Sequence, residues 1–244
     1  KNNHQFISKL NEKWDERKNE RDVYSDFFLN MDELKKGNWV YAREHTIAGS
    51  KLKEYEAKDV HIIVFSHEDE KLFKRFLTNI DSFINLEAIS IGGINLEGEL
   101  LDKLINQLSK KKHLKKLRLR VCYLKNIPSS INKLKDLETL DISENHLSTL
   151  PKEIGGLKNL RHLNLRNNRP LKILPPEIGS LIQVQYLGFE GSKLSKIPNT
   201  IGGCKNLIKI VGNACKIETI PFEIGKCTEL RDINLSYNKI DSIP

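Results

Sequence analysis

From residue 114 onward the chain repeats itself, and this limits its fold more than any other feature. Leu114, Leu137, Leu160, Val184, Leu207 and Leu230 open units spaced 23, 23, 24, 23 and 23 residues apart. Within a unit, apolar residues fall at the first, fourth, sixth and eleventh places, as in Leu137, Leu140, Ile142 and Leu147. The unit headed by Leu207 keeps Ile210 and Ile217 but departs from the pattern at Gly212. The alternation marks a short strand. A proline follows three or four residues later (Pro128, Pro151, Pro175, Pro198, Pro221, Pro244), then an Ile and often a Gly. Leu150-Pro151-Lys152-Glu153-Ile154-Gly155-Gly156-Leu157 is such a segment, and it returns the chain to the next strand. A unit this short cannot bury its own apolar face, so successive units must stack and share one core, with their strands aligned as a parallel sheet.

The ninth place carries Asn145, Asn168 and Asn238. An inward asparagine amide there satisfies backbone donors and acceptors in the turn after each strand. The combined pattern, L-x-x-L-x-L-x-x-N-x-L followed by L-P-x-x-I-G-x-L, resembles the leucine-rich-repeat family, in the short class of Ras-group and bacterial members. The resemblance implies an α/β fold: a right-handed horseshoe solenoid with a parallel sheet on the concave side. It covers residues 114–244 as six regular repeats, the last truncated, and extends more weakly over residues 60–113. There Leu86, Ile89, Ile91 and Leu96 lead a unit of 28 residues, and Val60, Ile63 and Phe65 lead another. Leu72, Phe73, Phe76, Leu77 and Ile80, and then Leu100, Leu101, Leu104, Ile105 and Leu108, recur at helical spacing, so both early units should carry a convex helix.

Residues 1–59 carry no repeat. Phe6, Leu10 and Trp14, then Val23, Tyr24, Phe27, Phe28, Met31 and Leu34, form two amphipathic stretches ending near Gly37. They are expected to form a helical N-terminal cap or linker, with an independent effector helix pair as the alternative. A chain that opens at Lys1 and closes at Pro244 within a repeat is expected to be part of a longer product.

Little in the sequence points to catalysis. Cys122 and Cys215 occupy the ninth place, while Cys204 and Cys227 replace the Leu seen at Leu157 and Leu181, so all four are expected as buried, reduced core thiols. His67-Glu68-Asp69-Glu70 lacks the second His of a zinc-protease helix and reads as a solvated turn and helix start. Gly92-Gly93, Gly155-Gly156 and Gly202-Gly203 belong to no phosphate-binding motif, and no serine sits in a G-x-S-x-G context. We therefore expect no catalytic residue, no metal and no cofactor. No run of 18 apolar residues is present. The compartment stays open: the lack of a cysteine-clustered cap points to the cytoplasm, whereas a missing initiator Met permits export.

The formal net charge is +8, and its distribution says more than its total. From Lys103 to Lys135 there are eleven Lys or Arg residues and no Asp or Glu. In register, Lys116, Arg118 and Arg120 should point into the concave face, with Lys110, Lys111, Lys112, Lys125, Lys133 and Lys135 in turns and on the convex side. Docking of an acidic protein is one reading of this stretch, and an ordinary solvated lysine surface is the other.

Aligned strands also set residues of successive units in columns across the concave surface. The third-place column reads Lys116, Thr139, His162, Tyr186, Lys209 and Asp232; the fifth, Arg118, Asp141, Asn164, Gly188, Val211 and Asn234. The seventh reads Arg120, Ser143, Arg166, Glu190, Asn213 and Ser236, while Glu144, Asn167 and Tyr237 come from the eighth. The candidate partner-binding residues are Lys116, Arg118, Arg120, Asp141, Glu144, His162, Asn164, Arg166, Tyr186, Glu190, Lys209 and Tyr237. Opposite charges such as Arg118 and Asp141 are neighbours, and as exposed pairs they should contribute about 0–1 kcal/mol each. Tyr186 and Tyr237 are the expected anchors, since tyrosine is enriched among interface hot spots.

By resemblance, the expected function is non-catalytic recognition of a protein partner, an acidic one where the basic stretch takes part. An alternative is the targeting domain of a larger enzyme, such as a ubiquitin-ligase effector, kinase or GTPase, whose catalytic domain lies outside this chain. A weaker one is binding of a polyanion or anionic membrane through residues 103–135, with nucleic acid the least favoured partner. Oligomeric state and partner identity are not written in the sequence.

Overall fold

A computed structural model describes the backbone of residues 39–42, 61–65 and 70–244. The chain divides into two compact units, Lys1–Trp39 and Val40–Pro244. The expected helical pair ahead of Gly37 lies outside the described residues, as do Val60 and the His67 turn.

The larger unit is a stack of strand-and-return repeats in one sheet whose strand order is the order of the sequence. The strands are β1 (Trp39–Ala42), β2 (Ile62–Phe65), β3 (Ala88–Gly92), β4 (Lys116–Arg120), β5 (Thr139–Asp141), β6 (His162–Asn164), β7 (Tyr186–Gly188), β8 (Lys209–Val211) and β9 (Asp232–Asn234). From β2 to β9 every neighbouring pair is parallel, and the register is the one the repeat dictates: Lys116 opposite Thr139, Thr139 opposite His162, His162 opposite Tyr186. The fourth-place residues Leu117, Leu140, Leu163, Leu187 and Ile210 are fully buried and run as one row through a continuous core.

The return segments differ along the stack. The two early repeats return through α1 (Glu70–Asn79) and α2 (Glu99–Leu108). Phe73, Phe76 and Leu77 of the first, and Leu101, Leu104, Ile105 and Leu108 of the second, are buried at the helical spacing read from the sequence. The later repeats return through five-residue 3-10 turns, Ser129–Lys133, Lys152–Gly156, Pro176–Ser180, Asn199–Gly203 and Phe222–Lys226. Each begins after a proline held extended, with φ between −66° and −71°, whose carbonyl accepts the N–H of the Ile three residues on. The proline therefore stops the strand-side backbone and starts the turn in one residue. Glycine then lets turns touch: a Cβ at Gly179 would lie 2.0 Å from the Thr200 carbonyl oxygen, and one at Gly203 2.2 Å from that of Gly179.

Side chains stitch one return segment to the next. Asn159 donates to the Lys135 carbonyl at 3.0 Å and Asn206 to that of Ile182 at 2.9 Å, reaching one repeat back. Lys158 and Lys205 reach forward to the carbonyls of Ser180 and Lys226, both at 3.0 Å. Lys111 does the same for α1: it is buried, not a solvated convex lysine, and its ammonium donates to the Ile80 carbonyl at 2.6 Å. Burial lowers its pKa, and the nearby Asp81 carboxylate opposes that shift.

The ninth place forms a second internal ladder. Asn145 accepts the N–H groups of Cys122 and Leu124 and donates to the carbonyls of Leu119, Ile142 and Ser143. Asn168 and Asn238 repeat the arrangement one and four units later. Where cysteine replaces asparagine, the thiol donates instead: Cys122 to the Ile91 carbonyl at 3.3 Å, Cys215 to that of Phe189 at 3.2 Å. To bring that side chain inward the preceding residue takes a left-handed backbone in each unit from β3 onward. Gly93, Val121, Glu144, Asn167, Gly191, Ala214 and Tyr237 all have φ between 54° and 73°. Only two of the seven are glycine, so the strain at the others is held by the ladder that follows.

Gly212, the departure at the sixth place, also has a physical reason. A Cβ there would sit 2.1 Å from the ring of Phe189, which fills the sixth place of the repeat before and is fully buried. A large residue in one layer takes the volume of the next.

Candidate functional site

The concave surface is built by the odd-numbered places of each strand, whose even-numbered neighbours face the core. The structure divides the candidate residues into three groups with different chemistry.

At the first regular repeats the cations are tied down. Arg118 and Asp141 are buried, not exposed, with side chains 4% and 10% accessible and Nε 3.4 Å from the carboxylate. The expectation of an exposed pair of marginal value is therefore corrected: both charges have left water, and removing either one would strand the other. Arg120 meets Glu144 at 2.6 Å, Lys115 meets Glu138 at 3.4 Å, and Lys125 meets Glu97 at 3.0 Å. Each acid comes from an adjacent repeat, so the stretch that has no acid in sequence acquires acids by stacking. Lys116 is half-buried beside them.

The middle of the array brings together His162, Asn164, Arg166, Tyr186 and Glu190 from two adjacent repeats. His162 and Tyr186 stack face to face, with ring centroids 4.2 Å apart and planes within 3°. The phenol then runs along the strand over Gly188, where a Cβ would approach its oxygen to 2.6 Å. Both rings are half-buried and therefore fixed yet accessible. Arg166 is exposed, and its Nε lies 3.6 Å from the Glu190 carboxylate. Asn164 accepts the Arg166 backbone N–H at 3.1 Å, just as Asp141 accepts that of Ser143 and Asn234 that of Ser236. The sequence reading missed this structural duty of the fifth place; the recurring Asp or Asn two residues before a polar residue was its signal.

The far end contributes Lys209, paired with Asp232 at 2.7 Å, and Tyr237. Tyr237 is 84% exposed on a left-handed backbone and lies two repeats beyond Tyr186, so the two tyrosines do not form one anchor.

No cluster of three or more His, Cys, Asp or Glu side chains that could hold a metal occurs among the described residues. All four cysteines are free; Cys122, Cys204 and Cys227 are buried, but Cys215 is only half-buried, against expectation. Burial pushes the Cys122 and Cys204 thiols up to about 12 and raises those of Cys215 and Cys227. Such thiols are protonated at neutral pH and make poor nucleophiles. Among the described residues, no helix is long and apolar enough to cross a membrane.

The architecture defines a repeat solenoid with a continuous parallel sheet and a polar concave face. Residues 62–171 match the family model of a leucine-rich repeat region, and the chain carries such a region. A search of curated proteins finds no match. Among solved structures, a plant peptide hormone receptor in complex with RGF2 is 30% identical over 77% of this chain and 30% of its own, with a TM-score of 0.58. An internalin from Listeria monocytogenes is 18% identical over 77% of this chain and 76% of its own, with a TM-score of 0.58. A chain of the Toll–Spätzle complex from Drosophila is 24% identical over 77% and 25%, with a TM-score of 0.59. The chain thus spans less than a third of the plant receptor and of the Drosophila chain.

Proposed function

We propose that this domain is a non-catalytic recognition module that docks a protein partner on the concave face, centred on His162, Arg166 and Tyr186. The observation that carries the reading is the stacked His162–Tyr186 pair beside an exposed guanidinium. A rigid aromatic loses little side-chain entropy on binding, and tyrosine and arginine are the residue types most enriched at the centres of interfaces. The plant receptor supports it as a similar protein solved with a bound ligand. The basic first repeats contribute less than their sequence implies, because neighbouring repeats neutralise Arg118, Arg120, Lys115 and Lys125.

The test is capture of a partner from lysate followed by titration with two variants. His162→Ala, Arg166→Ala and Tyr186→Ala together should weaken binding at least a hundredfold, about 3 kcal/mol, while leaving the fold intact. Arg118→Ala is unsuited to this purpose, since it strands the buried Asp141 and tests stability instead. A partner that binds the triple variant with unchanged affinity refutes the concave face as the docking surface.

A further inference from the structure

The cations that neighbouring repeats do not neutralise lie elsewhere: on the edge of the solenoid just after the strands. The tenth place of the later repeats holds Arg169, Lys193 and Lys216, and the places beside it hold Lys172 and Lys196. They are 20 or more residues apart from repeat to repeat, and the fold brings Lys193 beside Lys216. The N–H of Lys193 donates to the Leu171 carbonyl at 2.9 Å, and that of Lys216 to the Leu194 carbonyl at 3.0 Å. Ser195 donates to the Lys172 carbonyl at 3.3 Å, and Lys196 forms a parallel bridge with Thr219. Hydrogen-bonded neighbours of this kind stand about 5 Å apart. All five side-chain-bearing positions are exposed, and none makes an ion pair among the described residues.

The contrast with the concave face is the argument. There every repeat that presents a cation meets an acid from an adjacent repeat; on this edge Lys193 stands beside Lys216, no acid occurs between Gly191 and Ile217, and Glu218, beside Ser195, bounds the row. One apolar side chain sits within the cluster: Ile173, 52% exposed, next to Lys172 and in register with Lys196. A row of cations alone would suit any polyanion. An exposed Ile among them favours a ligand that alternates carboxylates with an apolar side chain, and the absence of an aromatic row beside Lys172, Lys193 and Lys196 disfavours stacked bases.

We infer that this edge is a second docking surface, separate from the concave face, and that it takes an acidic peptide segment carrying an apolar residue. The carboxylates pair with Arg169, Lys193 and Lys196 while the apolar residue packs on Ile173.

The experiment uses the whole chain and a short fluorescein-labelled peptide of Asp and Glu with one central Leu, read by anisotropy. Lys172→Glu, Lys193→Glu and Lys196→Glu together should weaken binding at least tenfold. Lys103→Glu, Lys112→Glu and Lys135→Glu, exposed cations on the return side with the same change in net charge, should change it less than twofold. Ile173→Ser should weaken the Leu peptide severalfold but not a peptide with Ser in place of Leu. The concave variant His162→Ala, Arg166→Ala and Tyr186→Ala should bind the peptide as the unaltered chain does, which keeps this surface distinct from the one proposed above. Equal losses in the two charge-reversed variants, no binding of the Leu peptide by the unaltered chain, or stronger binding of heparin or oligodeoxythymidylate that ignores Ile173→Ser would each overturn the inference.

Discussion

A single side chain in this fold is judged against its counterpart one repeat away. Gly212 and Phe189 show it best. The sixth place of the other regular repeats is Leu or Ile, and the break at Gly212 is invisible as a compensation unless the two repeats are laid one on the other. Gly212→Ala places a methyl group within 2.1 Å of a fully buried ring. We expect it to destabilise the chain by about 1–3 kcal/mol, the range for overpacking a filled core. Phe189→Leu alone should also destabilise, by leaving a cavity. The double variant should be more stable than the sum of the two losses predicts, a coupling that urea unfolding of all four proteins would measure. Strict additivity would show that the ring does not fill the glycine's space. The same one-repeat offset explains why Arg118 misleads as a sequence position. Its place in the column was legible, but not its burial beside Asp141 of the next repeat.

At the level of the element, strand register was fully legible because an alternation of period two leaves one way to bury the apolar set. Lys116, Thr139, His162, Tyr186, Lys209 and Asp232 stand opposite one another as the columns require. The early helices were legible for a similar reason, as Leu101, Leu104, Ile105 and Leu108 repeat at helical spacing. Less legible was the left-handed residue at the eighth place, since Val121, Glu144, Ala214 and Tyr237 have nothing in common but position. It turns the ninth-place side chain inward whatever that residue is, and where the residue is asparagine its amide adds hydrogen bonds at that rung. Asn168→Ala would leave the Leu147 N–H and the Leu165 carbonyl unsatisfied in the interior, while the Ile142 carbonyl keeps the Asn145 amide. At about 1–3 kcal/mol for each buried group left without a partner, the expected loss is at least about 2 kcal/mol. Asn167→Ala, one residue earlier and exposed, should cost less than half as much. Thermal unfolding of the two variants side by side checks the ladder; equal losses would mean that the amide does not hold it.

For the whole molecule, stacking redistributes charge. A run of eleven cations in the sequence reads as a basic patch, yet in space several of its members are neutralised by Glu97, Glu138, Asp141 and Glu144, and Lys111 is buried on the Ile80 carbonyl just after α1. Cations that look scattered, such as Lys193 and Lys216, become neighbours instead. The repeat period, not local composition, decides which charges meet. The candidate site was therefore legible as a set of columns but not as a ranking within them, because accessibility depends on what the adjoining repeat contributes.

The uneven ninth-place ladder has a mechanical consequence. Between the repeats headed by Val184 and Leu207, the rung is made by Ser192 and Cys215, whose thiol donates at 3.2 Å to one carbonyl and 3.6 Å to another, in place of an amide that both donates and accepts. The ion pairs Arg166–Glu190 and Lys209–Asp232 cross the interfaces on either side of this one. A chain stretched from its two ends in an optical trap should then tear there before it tears elsewhere, releasing the repeats from Leu207 onward as the first discrete extension. Cys215→Asn should raise the force of that first event, and an unchanged force would place the weakest seam at another repeat.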